Sequence, residues 1–404
     1  MSTAVTAERR RPSRRFLRLH GPRLTWRGVL RGIGRVLLGL VLGILIFLGF
    51  SAVMRVQSRT LPAVTGASPV GRTELALRDS GRVDPFASDG RTRELAVWIW
   101  YPAAEGSAGP AAPYLPPAWA PLVNNLGPLS QDLSAVRTNS IANAPLDGRP
   151  PVVVFMPGLG QPVASYSALA EDLASHGYAV VGINPTESMD VVFPDGHLVP
   201  ATAAGGIAEM TVDAWYPSAE RVTNVWTADA AFVVKTLAAS PPQIGALDFG
   251  HVAYVGHSLG GAASFEACRQ DPKCAAAADL DGTLWTEVRH TGLEAPSLLL
   301  QHPTGATCDE FCERAAADFA KVEALPNAER FVVAGSSHNA FSDFGLLWGP
   351  TDAPTLGSID PQRMNAIMRD VVRSFLDVHV LDAPAATFTA ATSGYPELSA
   401  PAAH

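Results

Sequence analysis

The chain has 404 residues, of which 47% are hydrophobic and 17% are charged. This apolar content is enough for a sizeable core and excludes a wholly disordered chain, and the length suits one large α/β domain or two smaller ones. The net charge of −8 is unevenly distributed, because residues 1–35 hold ten arginines and one acidic residue, whereas residues 36–404 hold 20 basic and 37 acidic residues. Such an acidic body does not suit a nucleic-acid-binding protein.

Residues 36–54 contain no charged side chain and directly follow the arginine-rich segment. A helix of this length would measure about 28 Å, close to the ~30 Å hydrocarbon core of a bilayer. We therefore predict a transmembrane helix, with the basic tail 1–35 in the cytoplasm and the rest of the chain outside, since positive charge marks the cytoplasmic side. The alternative is a cleaved signal peptide, which would leave a secreted protein.

Beyond the predicted span, composition suggests how the exported part is divided. Residues 55–83 are predicted to be a tether, and residues 84–383 to form the folded domain. Residues 93–101 (RELAVWIWY) are predicted to form a first strand. Residues 102–151 are rich in Pro, Ala and Gly and predict a long ordered loop over the surface. Residues 384–404 are predicted to be a flexible tail.

From residue 151 onward, short apolar runs alternate with segments of helical periodicity. Such runs are typical of strands buried on both faces. The predicted strands are 152–156, 178–183, 251–255, 275–280, 297–301 and 330–334, and the predicted helices are 164–176, 213–239, 259–270, 309–323 and 361–379. This alternation predicts an α/β fold with a mostly parallel, doubly wound sheet.

The strongest chemical signal is the motif Gly256-His257-Ser258-Leu259-Gly260, which matches G-x-S-x-G. A predicted strand precedes it and a predicted helix follows it, as a tight strand-to-helix turn carrying a nucleophilic serine requires. Small flanking residues are needed there, because bulky side chains would collide in so sharp a turn. Ser258 is therefore the predicted nucleophile, and the main-chain N–H of Leu259, at the start of a helix, is a predicted oxyanion donor.

A nucleophilic serine needs a histidine as base and an acid that orients the histidine. His338 follows the predicted strand 330–334 and a short turn, so it lies where a parallel sheet presents its functional groups. His302 ends the predicted strand 297–301 and is the alternative. The position after the strand favours His338 as the base.

For the acid, the residues alone leave more than one candidate. Asp279 and Asp281 have the same side-chain parity on the predicted strand 275–280, so parity does not separate them. Asp281 lies at the end of the strand, from which its carboxylate can reach an imidazole, whereas Asp279 lies deeper. Glu294 and Asp309 are weaker candidates.

A second oxyanion donor is expected in the loop after an early strand. The segment Pro157-Gly158-Leu159-Gly160 directly follows the predicted strand 152–156. The main-chain N–H of Leu159 is therefore the predicted second donor, beside that of Leu259.

The chain has four cysteines, Cys268, Cys274, Cys308 and Cys312. Export makes disulfides plausible, and four cysteines allow three pairings. We predict the local pairing, Cys268 with Cys274 and Cys308 with Cys312. The spacing of Cys308 and Cys312 would also suit a metal ion, but no histidine pair accompanies it in a zinc-finger-like pattern.

Taken together, residues 84–380 resemble the α/β-hydrolase family of plasma-type (group II) platelet-activating-factor acetylhydrolases and their bacterial relatives. The matching stretches are Asp84-Pro85-Phe86, Arg93-Glu94-Leu95, Trp100-Tyr101-Pro102, Gly158-Leu159-Gly160, Leu173-Ala174-Ser175-His176-Gly177-Tyr178, the serine motif, Leu280-Asp281-Gly282, and Ser337-His338-Asn339-Ala340-Phe341-Ser342-Asp343-Phe344. The resemblance implies an α/β-hydrolase fold, with Ser258 as nucleophile, Asp281 rather than Asp279 as acid, and His338 as base. It also implies oxyanion donors at Leu159 and Leu259, although the family often has His-Gly where this chain has Pro157-Gly158.

The resemblance further implies a serine ester hydrolase that acts through an acyl-enzyme and requires neither metal nor organic cofactor. Its expected substrates are short-acyl or modified (phospho)lipid esters. A general carboxylesterase or polyester hydrolase with the same triad is an alternative. An alternative of another class is a non-catalytic, membrane-anchored binding protein built on a hydrolase scaffold.

Overall fold

The computed structural model describes residues 26–56, 59–119, 122, 132–207, 212–303, 327–347 and 353–401. The chain divides into two compact units, residues 1–53 and 54–404. Helix α1 (Trp26–Val56) accounts for the described part of the first unit. Within its stretch Trp26–Val53, an 18-residue window has a mean hydropathy of 2.8 and almost no buried side chains. The predicted apolar N-terminal helix is thus confirmed, and it is long and apolar enough to cross a membrane or to act as a signal sequence.

The second unit is built on one mixed sheet. Its ten strands among the described residues are β1 (Val70–Val83), β2 (Thr92–Pro102), β3 (Ser140–Ala142), β4 (Pro151–Met156), β5 (Ala179–Ile183), β8 (Asp248–His257), β9 (Cys274–Leu280), β10 (Ser297–Gln301), β11 (Ala328–Val333) and β12 (Leu398–Ser399). A separate hairpin consists of β6 (Val191–Val192) and β7 (Leu198–Val199). The sheet order is β12-β11-β10-β9-β8-β4-β5-β2-β1-β3. The central run from β5 to β11 is parallel, as predicted.

Helices cover both faces of this sheet, which explains why its central strands are continuously apolar. The helices are α2 (Ser167–Ser175), α3 (Val212–Ala239), α4 (Leu259–Gln270), α5 (Val288–Thr291), α6 (Phe344–Leu347), α7 (Ala353–Leu356), α8 (Pro361–Val380) and α9 (Ala386–Ser393), with 3₁₀ turns at Leu133–Ala135, Val163–Tyr166 and His338–Phe341. On β4, Val153 and Phe155 join the core that includes α2 and α8, and Val152 and Val154 join the core that includes α3 and α4.

The prediction of a tether over 55–83 is wrong for residues 70–83, which form β1. This strand pairs antiparallel with β2, with Leu75 opposite Val97 and Leu77 opposite Leu95. Leu75 and Leu77 pack against the core on the α3 side of the sheet. Leu75 and Leu77 are two residues apart, as on one face of a strand, but Ala76 between them is also apolar, so the local pattern carried this signal only weakly.

The predicted surface loop 102–151 is partly core. Tyr114, Leu115 and Trp119 are buried, and the Trp119 ring meets the edge of Trp98 with centroids 5.7 Å apart. The same segment supplies β3 at the edge of the sheet. Aromatic side chains in a Pro-rich segment thus anchor it to the sheet instead of leaving it on the surface.

The prediction of a flexible tail over 384–404 is wrong for residues 386–399, which form α9 and β12. Phe388 on α9 packs between Phe331 and Phe375, with ring centroids 6.2 Å and 5.7 Å away. Strand β12 adds antiparallel to the edge strand β11. The alanines favour a helix, and one buried phenylalanine anchors it to the core.

One disulfide joins Cys268, near the end of α4, to Cys274, the first residue of β9. This confirms the first half of the predicted pairing. Closing so short a loop stabilises the fold by about 2 kcal/mol in the chain-entropy account. Cys308, Asp309 and Cys312, together with the predicted helix 309–323, lie outside the described residues.

Candidate active site

Ser258 lies on the turn between β8 and α4, at the carboxyl edge of the parallel strands. Its backbone has a φ of 57° and a ψ of −124°, in the region that favours glycine. Such a conformation costs about 1–3 kcal/mol and persists only where the surroundings enforce it. A Cβ atom added to Gly256 would lie 2.2 Å from the carbonyl oxygen of Gly260, so the turn can close only with glycine at that position.

His338 follows β11, two strands away from β9 in the sheet, and reaches the serine. Its Nε2 lies 2.9 Å from Ser258 Oγ, and its Nδ1 lies 2.6 Å from Asp281 Oδ2. These two contacts join the predicted nucleophile, base and acid into one chain of hydrogen bonds. The imidazole is about half exposed, so a substrate can approach it from solvent.

Asp281 is buried and directly follows β9. Its backbone also has a positive φ, 61°, and its N–H donates to the carbonyl oxygen of Leu300 on β10 at 2.7 Å. Burial alone would raise the pKa of Asp281, but hydrogen bonds from His302 and His338 outweigh it and hold the pKa below its usual value. Asp281 is therefore an ionised carboxylate at neutral pH.

The other acid candidates do not reach the imidazole. Asp279 is buried on β9, where its Oδ1 accepts the N–H of Gly282 at 2.7 Å, and burial raises its pKa well above the usual value. Its carboxyl group therefore remains protonated and inside the core. The side chain of Glu294 is exposed, at the approach to β10. Of the described candidates, only Asp281 contacts His338.

His302, the alternative base, hydrogen-bonds to the predicted acid Asp281 instead of to Ser258. Its main-chain N–H donates to Asp281 Oδ1 at 2.8 Å, and its ring Nδ1 lies 2.8 Å from both carboxylate oxygens. The hydrogen bond to Asp281 raises the pKa of His302. Asp281, His302 and His338 are also the described residues whose side chains could share a metal ion, since their ligand atoms lie within 4.8 Å of one another. Their separations of 2.6 Å and 2.8 Å are those of N–H···O bonds.

Of the two predicted oxyanion donors, Leu259 is next to Ser258 in the chain, and Leu159 follows the strand that neighbours β8 in the sheet. Leu259 begins α4, so its N–H belongs to the first turn, which has no partners within the helix. Leu159 follows β4, the neighbour of β8, and this loop packs tightly on the start of α4, because a Cβ on Gly260 would lie 2.2 Å from the carbonyl oxygen of Met156. The roles of these two N–H groups remain a prediction.

Sequence reasoning missed a buried polar chain behind the triad, centred on His257. The Nε2 of His257 lies 2.9 Å from the carbonyl oxygen of His338, and its Nδ1 lies 2.7 Å from the hydroxyl of Tyr166. That hydroxyl accepts the N–H of Gly158 at 3.0 Å and also contacts Gln161. This series of hydrogen bonds thus connects the loop that carries His338 to the loop that carries Leu159, the predicted second oxyanion donor.

Burial and the nearby His338 lower the pKa of His257 to about 3, so the ring is neutral. Because the His338 carbonyl can only accept, Nε2 of His257 carries the proton and donates it to that carbonyl, and Nδ1 is left as an acceptor that faces the Tyr166 hydroxyl. The signal for this role was a polar residue inside the serine motif, but no local pattern indicated its partner Tyr166.

A doubly wound sheet that brings a serine, a histidine and an aspartate together at its carboxyl edge defines an α/β-hydrolase. Within that class, the chain belongs to the family described as platelet-activating factor acetylhydrolase, isoform II, whose family model matches residues 53–188 and 220–387. The three triad residues and Leu159 and Leu259 all fall inside the matched stretches.

The chain is also similar to two individual proteins. A probable 1-alkyl-2-acetylglycerophosphocholine esterase of Arthroderma benhamiae is 29% identical over 145 residues, which cover 35% of this chain and 34% of that protein. The chain thus spans about a third of the length of this curated relative. Among solved structures, a ferulic acid esterase from Streptomyces cinnamoneus matches with a TM-score of 0.73 at 29% identity, over 85% of this chain and 99% of that one.

Proposed function

We propose that the chain hydrolyses carboxylic esters through an acyl-enzyme on Ser258. The observation that carries this proposal is the hydrogen-bonded chain from Ser258 Oγ through His338 to Asp281, at 2.9 Å and 2.6 Å. In this mechanism Nε2 of His338 takes the hydroxyl proton while Oγ attacks the ester carbonyl carbon. The N–H groups of Leu159 and Leu259 stabilise the oxyanion of the tetrahedral intermediate.

The remaining steps follow from the same contacts. The imidazolium of His338 returns its proton to the departing alcohol, and the acyl group stays on Ser258. A water molecule then gives a proton to His338 and attacks the acyl carbon, which releases the carboxylic acid and regenerates the serine. Asp281, ionised because its pKa lies below the usual value, keeps the Nδ1 proton of His338 in place and stabilises the imidazolium.

The proposed substrates are short-acyl or modified phospholipid esters. The family match and the name of the Arthroderma relative support this class. A second candidate is a general carboxylesterase or polyester hydrolase, which the similarity to a ferulic acid esterase over nearly all of that chain favours. Residues 189–219, which include the β6–β7 hairpin, lie outside the family match. Selectivity determinants particular to this chain are therefore expected there.

A substrate panel separates the two candidates. We expect kcat/KM for a 2-acetyl phospholipid to exceed that for a long-chain phospholipid and for methyl ferulate by at least about tenfold, because pocket size discriminates acyl chains by such factors. Full-length chain in detergent micelles would be assayed, with Ser258→Ala as the blank. A preference for methyl ferulate or for a polyester film would favour the second candidate.

We further propose that α1 anchors the protein in a membrane, with the N-terminus in the cytoplasm and the hydrolase outside. The arginines before the apolar stretch and the disulfide in the body support this orientation. In right-side-out vesicles carrying the full-length chain, added protease is expected to remove the hydrolase and leave a protected N-terminal fragment of α1 and the basic tail. A soluble product that begins after α1 would instead indicate a cleaved signal peptide.

A further inference from the structure

The ends of three adjacent parallel strands carry the acid, His302 and the base in that spatial order. Asp281 follows β9, His302 follows β10 and His338 follows β11. Neighbouring strands lie about 4.8 Å apart, so a carboxylate after β9 must extend across the end of β10 to meet a histidine after β11. The N–H of Asp281 donates to the carbonyl oxygen of Leu300 on β10 at 2.7 Å, so the main chain of Asp281 is still paired with β10 where its side chain begins.

His302 holds the Asp281 carboxylate in this position across the end of β10. It supplies two donors to Oδ1, its main-chain N–H and its ring Nδ1, each at 2.8 Å, while His338 takes Oδ2 at 2.6 Å. Because an ionised carboxylate only accepts hydrogen bonds, both rings carry their proton on Nδ1. The two rings stand nearly perpendicular, with centroids 6.3 Å apart, and both face the same carboxylate.

We propose that His302 is a positioning residue for the triad: it fixes Asp281 so that Oδ2 faces Nδ1 of His338, and it limits the negative charge that the carboxylate presents to the base. The inference rests on the proposed ester hydrolase function. His302 acts only through Asp281, since its ring donates to the carboxylate and the serine is bonded to His338.

Two consequences distinguish this role from simple packing. Without the ring donor, the carboxylate still accepts from His338 but is free to rotate about its Cβ–Cγ bond, so the imidazole is aimed less accurately at Ser258, which slows the chemical step while substrate binding is unaffected. The remaining carboxylate charge is also less satisfied, so it stabilises the imidazolium of His338 more strongly and moves the acid limb of the pH–rate profile upward. A protonated His302 would have the same effect on the base as the neutral donor, since its positive charge also disfavours the imidazolium of the nearby His338. The ionisable side chains that the structure places against the His302 ring are Asp281, at 2.8 Å, and His338, whose ring centroid lies 6.3 Å away. Arg330, on the neighbouring strand β11, donates to Gln301.

The experiment compares His302→Ala with His302→Asn in the full-length chain, in detergent micelles with p-nitrophenyl acetate. The asparagine Nδ2 occupies the position of the histidine Nδ1, so it keeps the donor to Asp281 without the ring or its charge. We expect His302→Ala to lower kcat by about 10–100-fold with KM changed less than about twofold, and His302→Asn to retain most of kcat, because a donor to a charged group contributes about 1.5–3 kcal/mol. The acid limb of kcat/KM is expected to move up by about half a pH unit in the alanine variant.

His251→Asn is the matched control, since that exposed histidine lies near the start of β8, at the end of the strand that is distant from Ser258. Wild-type kcat and an unchanged acid limb in His302→Ala would overturn the inference while leaving the esterase proposal intact. Equal losses in both His302 variants, in step with a lowered melting temperature and without a shifted acid limb, would assign a structural role and also overturn it. A wild-type chain that hydrolyses no ester, or Ser258→Ala that hydrolyses as fast as wild type, would overturn both proposals.

Discussion

Ser258→Ala is expected to lower kcat for ester hydrolysis by roughly a million-fold, with KM almost unchanged. Removing Oγ removes the atom to which the acyl group is transferred, and His338, 2.9 Å away, is left without its proton donor. The oxyanion donors and the rest of the site remain, so a small residual rate above the uncatalysed reaction is expected. Turnover of p-nitrophenyl acetate by the full-length chain, normalised to folded protein, measures this.

A matched control is available on the same helix. Ser264 is buried on α4, and its hydroxyl has no hydrogen-bond partner among the residues that the structure describes. Ser264→Ala removes the same atom six residues further on, so it should leave kcat within about twofold, since no hydrogen bond is lost. Labelling by a fluorophosphonate is expected at Ser258 in wild type and in Ser264→Ala. Labelling at another residue, or turnover by Ser258→Ala above a tenth of wild type, would contradict the assignment.

Local patterns were sufficient to predict the central fold and the position of the nucleophile. Strands buried on both faces give uninterrupted apolar runs, and α4 follows directly after the G-x-S-x-G turn. A Cβ atom on Gly256 would lie 2.2 Å from the carbonyl oxygen of Gly260, which leaves little choice of residue and makes the motif informative. His338 could be ranked first because a parallel sheet presents functional groups after its strands.

The remaining features depend on contacts between distant segments. Strand β1 and helix α9 gain their stability from β2 and from Phe331 and Phe375, so their own sequences predict them only weakly. In the site, the partner of His257 is Tyr166, 91 residues earlier in the chain. His302 competes with His338 for the same role until the strand order shows which of them reaches the serine.

The two aspartates at the end of β9 are expected to differ greatly in their effect on kcat when each is substituted. Asp281→Asn is expected to lower kcat by about ten-thousand-fold, because an amide no longer holds the Nδ1 proton of His338 by charge and can favour the wrong tautomer. Asp279→Asn, two residues away, is expected to stay within about threefold of wild type. Its carboxyl group is buried with a raised pKa and is therefore neutral, and an amide oxygen can still accept the N–H of Gly282, a neutral hydrogen bond of modest net free energy.

The pair separates the role of charge from the role of shape, since both substitutions exchange an oxygen for a nitrogen at nearly constant volume. Measured at pH 8, kcat of Asp281→Asn should remain low, because a neutral imidazole in the wrong tautomer cannot take the proton of Ser258. Melting temperatures of the two variants serve as the control for folding. Equal activities of the two variants, or a greater loss in Asp279→Asn, would show that Asp281 is not the acid of the triad. The proposed positioning role of His302, which acts through Asp281, would then fail as well.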